Sequence, residues 1–226
     1  MSTMTTEEIG AALTAAEEQI AASGVANLRG VGFWRAVAAV KRDPELVDRF
    51  ADRIGAIDQT SFRMWAPIKI PMWIGTTLAV LFTVFGLVLI GTAYYQGAFV
   101  GALLFLVGTG IILTTTHGLG HLFVGWSFGM RFTVWFAGYG RPQPGVKTDY
   151  ASYLRTPARS RAWMHASGAI VTKAVPFLLL PSAFMAGIAD WAIVVLFVVA
   201  FGQIITDLVW STKSSDWAKF KREMKY

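Results

Sequence analysis

Four apolar runs constrain this chain more than any other feature: Met72 to Tyr95, Ala98 to Phe128, Ala162 to Ile188 and Trp191 to Trp210. At ~1.5 Å of rise per residue, a helix of each length crosses a hydrocarbon layer ~30 Å thick. No water satisfies peptide groups in that layer, so such a run closes its hydrogen bonds internally as a helix. Composition agrees: 54% of the 226 residues are hydrophobic and only 15% are charged, too apolar a balance for a soluble domain of this size. The expected fold is an all-α integral membrane protein with four transmembrane helices. The first residues, MSTMTTEEIGAALTAAEEQ, are polar and acidic, unlike a cleavable signal sequence. The chain has no cysteine. That excludes disulfides, thiolate zinc sites and iron–sulfur clusters, and leaves His, Asp and Glu to hold any metal.

Residues 1 to 65 read differently. Thr5 and Glu8 have the spacing of a capping box, and Ile9, Leu13, Ala16 and Ile20 come after them at helical intervals. Beyond a glycine-containing break, Val31 to Val40 is a second short apolar segment. Asp43-Pro44-Glu45 is a helix start, and Leu46, Val47, Phe50, Ile54 and Ile57 line one face of the helix it opens. The expectation is an amphipathic helical unit packed on itself outside the membrane, with a partner-docking domain as the alternative. Residues 66 to 226 form the membrane domain. A long polar loop over 129–161 is broken by Gly138, Gly140, Pro142, Pro144 and Gly145, with strand propensity around Arg131 to Ala137.

The net charge of +6 is uneven: residues 1–65 hold nine acids and seven bases, and the rest holds five acids and thirteen bases. The 129–161 loop carries Arg131, Arg141, Lys147, Arg155, Arg159 and Arg161, and the tail carries Lys213, Lys219, Lys221, Arg222 and Lys225. The two short turns between runs carry no Lys or Arg. By the positive-inside rule the loop and both termini are cytoplasmic, in what is expected to be a bacterial cytoplasmic membrane. The basic excess reads as topology, so the expected partners are the lipid bilayer and a membrane-protein partner or complex, with no nucleic acid.

The polar groups inside the runs are few. The second run contains His117-Gly118-Leu119-Gly120-His121, and residues four apart on a helix share a face, so both imidazoles can reach one metal ion. The competing reading has them hydrogen-bonding to neighbouring helices. Run direction places His117, His121, His165 and Asp207, the acid well inside a run, at one depth near the cytoplasmic face. Polar groups in hydrocarbon are costly and mark functional sites, so their convergence points to a shared site. Lys173 and Gln203 lie one or two turns deeper; Lys173 either positions an anion or forms a structural pair with Gln203 or another polar group. Thr114, Thr115 and Thr116 are expected to bond to their own backbone, and Gly118 and Gly120 to permit close helix approach.

HGLGHLFVGWSFGMRF resembles the HELGH helix of the site-2 protease family of intramembrane zinc metalloproteases. The resemblance covers about residues 98 to 210: a basic loop comes next, then a span opening RAWMHASGAIVTK where that family has an Ala-Gly-Pro turn, then a last span with an intramembrane Asp. It implies a site-2-protease-like core in which His117, His121 and Asp207 ligate zinc, an open catalytic type of site. Gly118 stands where the family has the glutamate that deprotonates the attacking water and then protonates the leaving amine. Leu208 replaces the glycine after the ligand Asp, and Ala169 the proline of the small-residue turn. The resulting expectation is a zinc-binding pseudoprotease that supports a partner or complex. The alternative is an active membrane metalloenzyme using His117, His121 and Asp207, with His165 as base or extra ligand; haem ligation is a weaker third reading. Helix propensity alone favours Gly118→Glu over the glycine.

Overall fold

The computed structural model describes residues 4–23, 28, 30–137, 144–209 and 215–226. Among them the first elements in order are α1 (Thr6–Ser23), α2 (Phe33–Val40), α3 (Pro44–Trp65), β1 (Ile68–Pro71), α4 (Met72–Ala93) and α5 (Ala98–Ser127). Then come β2 (Phe132–Ala137), β3 (Gly145–Thr148), α6 (Tyr150–Arg155), α7 (Ala158–Met185), α8 (Asp190–Val209) and α9 (Asp216–Glu223). The glycine-containing break after α1, the loop positions Gly138, Gly140, Arg141 and Pro142, and the run's end at Trp210 lie outside the described residues.

The N-terminal helices start where their caps dictate. Thr5 and Glu8 exchange backbone and side-chain hydrogen bonds at 2.7 and 3.2 Å, and the Asp43 carboxylate accepts from Glu45 N at 2.9 Å, satisfying otherwise orphaned amides. Ile9, Leu13, Phe33, Val40 and Ile54 are fully buried in their shared core. Ala151 and Leu154 of α6 join that core, and Arg155 grips Asp52 of α3 with two bonds at 2.9 and 2.7 Å. Lys147 of β3 pairs with Asp58, whose carboxyl burial pushes up. The β3–α6 part of the 129–161 segment is therefore docked on the N-terminal unit.

Four helices, α4, α5, α7 and α8, are long and apolar enough to cross a membrane. Only 17 to 33% of the residues in their apolar windows are buried within the protein, so side chains such as Leu81, Phe82 and Val88 on α4 form an apolar exterior suited to lipid. α5 packs between α4 and α7, and α7 against α8 and α9. The third span opens at Ala158, after Pro157 as N-cap, four residues earlier than the apolar run. At one end the two short turns meet: Ala189 N donates to Ala98 O at 3.1 Å and the Tyr94 hydroxyl to Ser182 O at 3.0 Å. The N-terminal unit and α6 lie at the other.

The mostly helical fold also holds an antiparallel sheet in the order β1-β2-β3. The strand expected at 131–137 is β2; β1 and β3, of four residues each, were not expected. Ile70 pairs with Trp135, and Trp135 with Val146. Trp135 is 3% exposed, and its indole N–H donates to Thr76 Oγ1 of α4 at 3.0 Å. A Cβ on Gly75 would lie 2.3 Å from Trp135 Cδ1, and one on Gly118 2.6 Å from Trp135 Cη2. The two glycines thus make a slot that clamps the indole between α4 and α5.

Candidate metal centre

His117 and His121 project from one face of α5 as their spacing requires, with ring centroids 4.7 Å apart and planes at 87°. The Nδ1–H of His121 donates to Met164 O of α7 at 2.7 Å, which turns its Nε2 into the site. This is the outer support that orients metal-binding imidazoles. Gly168 of α7 gives that ring its room, since a Cβ there would lie 2.4 Å from His121 Nε2.

The carboxylate that joins them comes from Asp216, in the first turn of α9. Its Oδ2 stands 3.3 Å from His117 Nε2 and 3.2 Å from His121 Nε2, and the two Nε2 atoms are 3.3 Å apart. Burial raises the Asp216 carboxyl, but the His121 and Lys219 contacts outweigh it and hold it well below the carboxylate range. A carboxylate oxygen and two imidazole nitrogens at the corners of a nearly equilateral triangle are held together by a proton or a cation between them. A tetrahedral ion with ligand bonds of ~2.0–2.1 Å would hold its ligands about 3.3–3.4 Å apart. His117, His121 and Asp216 can therefore hold a metal ion, and two imidazoles with one carboxylate suit a borderline divalent metal and leave a fourth position open.

Of the residues singled out in the sequence, Asp207 and His165 line the same cavity, of about 660 Å³, but stand outside this triangle. The Asp207 carboxylate pairs with Lys173, whose ammonium also donates to Ala169 O at 3.4 Å. A lysine within a helix bundle needs a counter-charge, and Asp207, one turn beyond Gln203, supplies it. His165 Nε2 shares a 2.9 Å hydrogen bond with the Tyr153 hydroxyl. Thr114, Thr115 and Thr116 donate to Gly110 O, Ile111 O and Ile112 O at 2.9, 2.9 and 2.6 Å, as expected.

The glycines of the motif differ in what they meet. A Cβ on Gly120 would touch Ser167 O at 3.3 Å, so this glycine does let α5 approach α7. Gly118 faces the Trp135 indole and not another helix. The expectation that a glutamate is favoured at 118 is thereby corrected: propensity is a local property, and the space beside this position is filled by a clamped ring. The Asp216 contribution was missed because it lies nine residues past Asp207, beyond the last apolar run; its signal was the Ser215-Asp216 helix start of SDWAKFKRE. Comparison with known proteins adds nothing to these geometric findings: no family model, no curated protein and no solved structure matches this chain.

Proposed function

We propose that this chain is an integral membrane zinc-binding protein with a core of the site-2 protease type, in which His117, His121 and Asp216 hold the ion and which serves as a binding or complex-supporting subunit without ordinary peptidase activity. The observation that carries the reading is the triangle of His117 Nε2, His121 Nε2 and Asp216 Oδ2, with sides of 3.2 to 3.3 Å, the two histidines lying on a helix whose sequence resembles the HELGH segment of that family. Zinc bound there would supply Lewis acidity. Among the described residues, the carboxylates that line the metal cavity are Asp216 and Asp207. Gly118 carries no side chain, Asp216 is a ligand, and Asp207 is neutralised by Lys173. Loss of general acid–base help of this sort costs a factor of ~10²–10⁴ in rate. The basic loop and tail support a cytoplasmic side for the metal end of the bundle under the positive-inside rule.

Metal analysis of the purified protein tests the site. One zinc per native chain, absent from His117→Ala, is expected; equal background in both overturns the reading. Incubation with transmembrane peptides tests the second half, with no cleavage expected. Cleavage by the native protein that His121→Ala abolishes would overturn the non-proteolytic assignment and point to His165 as the base.

A further inference from the structure

The third proposed ligand sits on α9, a short helix beyond the last apolar one that is held by side-chain contacts to α7 and to the N-terminal unit. α9 is eight residues long, too short to be a stable helix on its own. Its two ends are nevertheless both anchored. At the first, Ser215 Oγ caps Ala218 N at 3.1 Å and Asp216 meets the two histidines. At the other, Glu223 is fully buried between two cations from different parts of the chain: Lys41 Nζ, at the end of α2, donates to its Oε1 at 2.5 Å, and Arg161 Nε, on α7, donates to its Oε2 at 2.8 Å. Arg161 is itself set by Nη1 bonds to Leu154 O and Thr156 O at 3.2 and 2.6 Å. Between the ends, Phe220 lies edge-on to Trp163 of α7 at 5.5 Å.

We infer that Glu223, gripped by Lys41 and Arg161, is a positioning residue for the metal centre: it holds α9 so that Asp216 reaches His117 and His121, and metal binding in turn fastens α9 to the N-terminal unit. The inference rests on the zinc reading above. Seven residues of helix put Glu223 about 10 Å along the axis from Asp216, so it does not ligate. Its effect is through the fraction of molecules in which α9 is docked, because apparent affinity falls with the population of the binding-competent state. Coupling of this kind is reciprocal. Ser215, Asp216 and Lys219 also form one wall of the metal cavity, so release of α9 would open the cavity on the side where the tail lies.

The test uses the full chain in lipid nanodiscs, stripped of metal and titrated with Zn²⁺ against a competing chelator, while amide exchange is followed in residues 216–223. Zinc is expected to slow exchange in α9 of the native protein. Glu223→Gln and Lys41→Glu are each expected to raise the zinc Kd at least fivefold, within the usual range of coupling between sites, with exchange in α5 and α7 unchanged. Glu223→Gln leaves two buried cations short of a partner and is the variant more prone to fail in folding; Lys41→Glu places its new charge where undocking exposes it, and repels Glu223. The zinc-induced rise in melting temperature should shrink in the variants, whereas a residue that merely stabilises the fold would lower the melting temperature equally with and without zinc. Native zinc affinity in folded variants overturns the clasp and leaves the metal site standing. Failure of the native chain to bind zinc overturns both.

Discussion

At the scale of single residues, two glycines decide what this site can be. The Trp135 indole fills the space beside Gly118 and is itself held by Gly75 and by its bond to Thr76, so it cannot swing away as a surface ring would. Gly118→Glu, which would turn HGLGH into the HELGH pattern it resembles, is therefore expected to destabilise the native protein by about 1–3 kcal/mol, the usual cost of overpacking, and not to confer peptidase activity. Thermal melting checks it: the penalty should largely vanish when the same change is made in a Trp135→Ala background, and an equal penalty in both backgrounds would show that the indole is not the obstacle. Gly168→Ala should act differently. The atom it meets is the far end of the His121 side chain, which can turn, so the fold should survive while zinc binding falls. A variant that keeps full zinc stoichiometry would refute this. The two α5 histidines were legible in the sequence because the i, i+4 rule is local. The carboxylate was not, because a lysine in the bundle draws Asp207 to itself, and nothing in linear order says that the next acid folds back over the histidines.

Among the elements, α9 shows how an electrostatic anchor shapes behaviour with pH. Burial alone would raise the Glu223 carboxyl, but Lys41 and Arg161 hold it below the ordinary value of 4.5. Burial likewise brings the Lys41 ammonium down, to about 8, with Glu223 opposing the fall, so the pair remains charged at neutral pH. For a carboxyl with a depressed folded value, the stabilisation is fully present above the unfolded value and is lost as pH falls through the folded one. Metal-free protein should accordingly keep α9 docked at neutral pH and release it on acidification below about 4.5. Limited proteolysis of the tail across pH reads this directly, and Glu223→Gln should cleave readily at neutral pH. A native tail equally resistant at pH 3 and pH 7 would contradict the assignment. The longer helices were legible, because a capping box, a proline start and apolar run lengths are local signals, whereas α6 and α9, of six and eight residues, fell in what reads as loop and tail. The sheet was half legible. β2 has an aromatic and β-branched sequence, FTVWFA, whereas β1 is only IKIP, and a strand so short exists because β2 pairs with it and not by its own propensity.

For the molecule as a whole, charge and connectivity converge on one topology from independent premises. The basic residues of the 129–161 segment and the tail predict one side of the membrane for both. The contacts place α6 on α3, α9 on α7, and Glu223 on Lys41, which ties N-terminal unit, loop and tail into one assembly at one end of the four spans. The two short turns lie together at the opposite end through the Ala189–Ala98 hydrogen bond. Because the chain has no cysteine, single cysteines introduced at exposed positions report their side cleanly. Asp48→Cys and Lys225→Cys are expected to react with a membrane-impermeant maleimide only from the cytoplasmic face, and Gln96→Cys only from the other. Each position is exposed, so poor reactivity would not result from burial. Labelling of Gln96→Cys from the same face as Asp48→Cys would break the four-span arrangement. It would also overturn the cytoplasmic placement proposed for His117 and His121, since α5 is long enough to run the full thickness between that turn and the histidines.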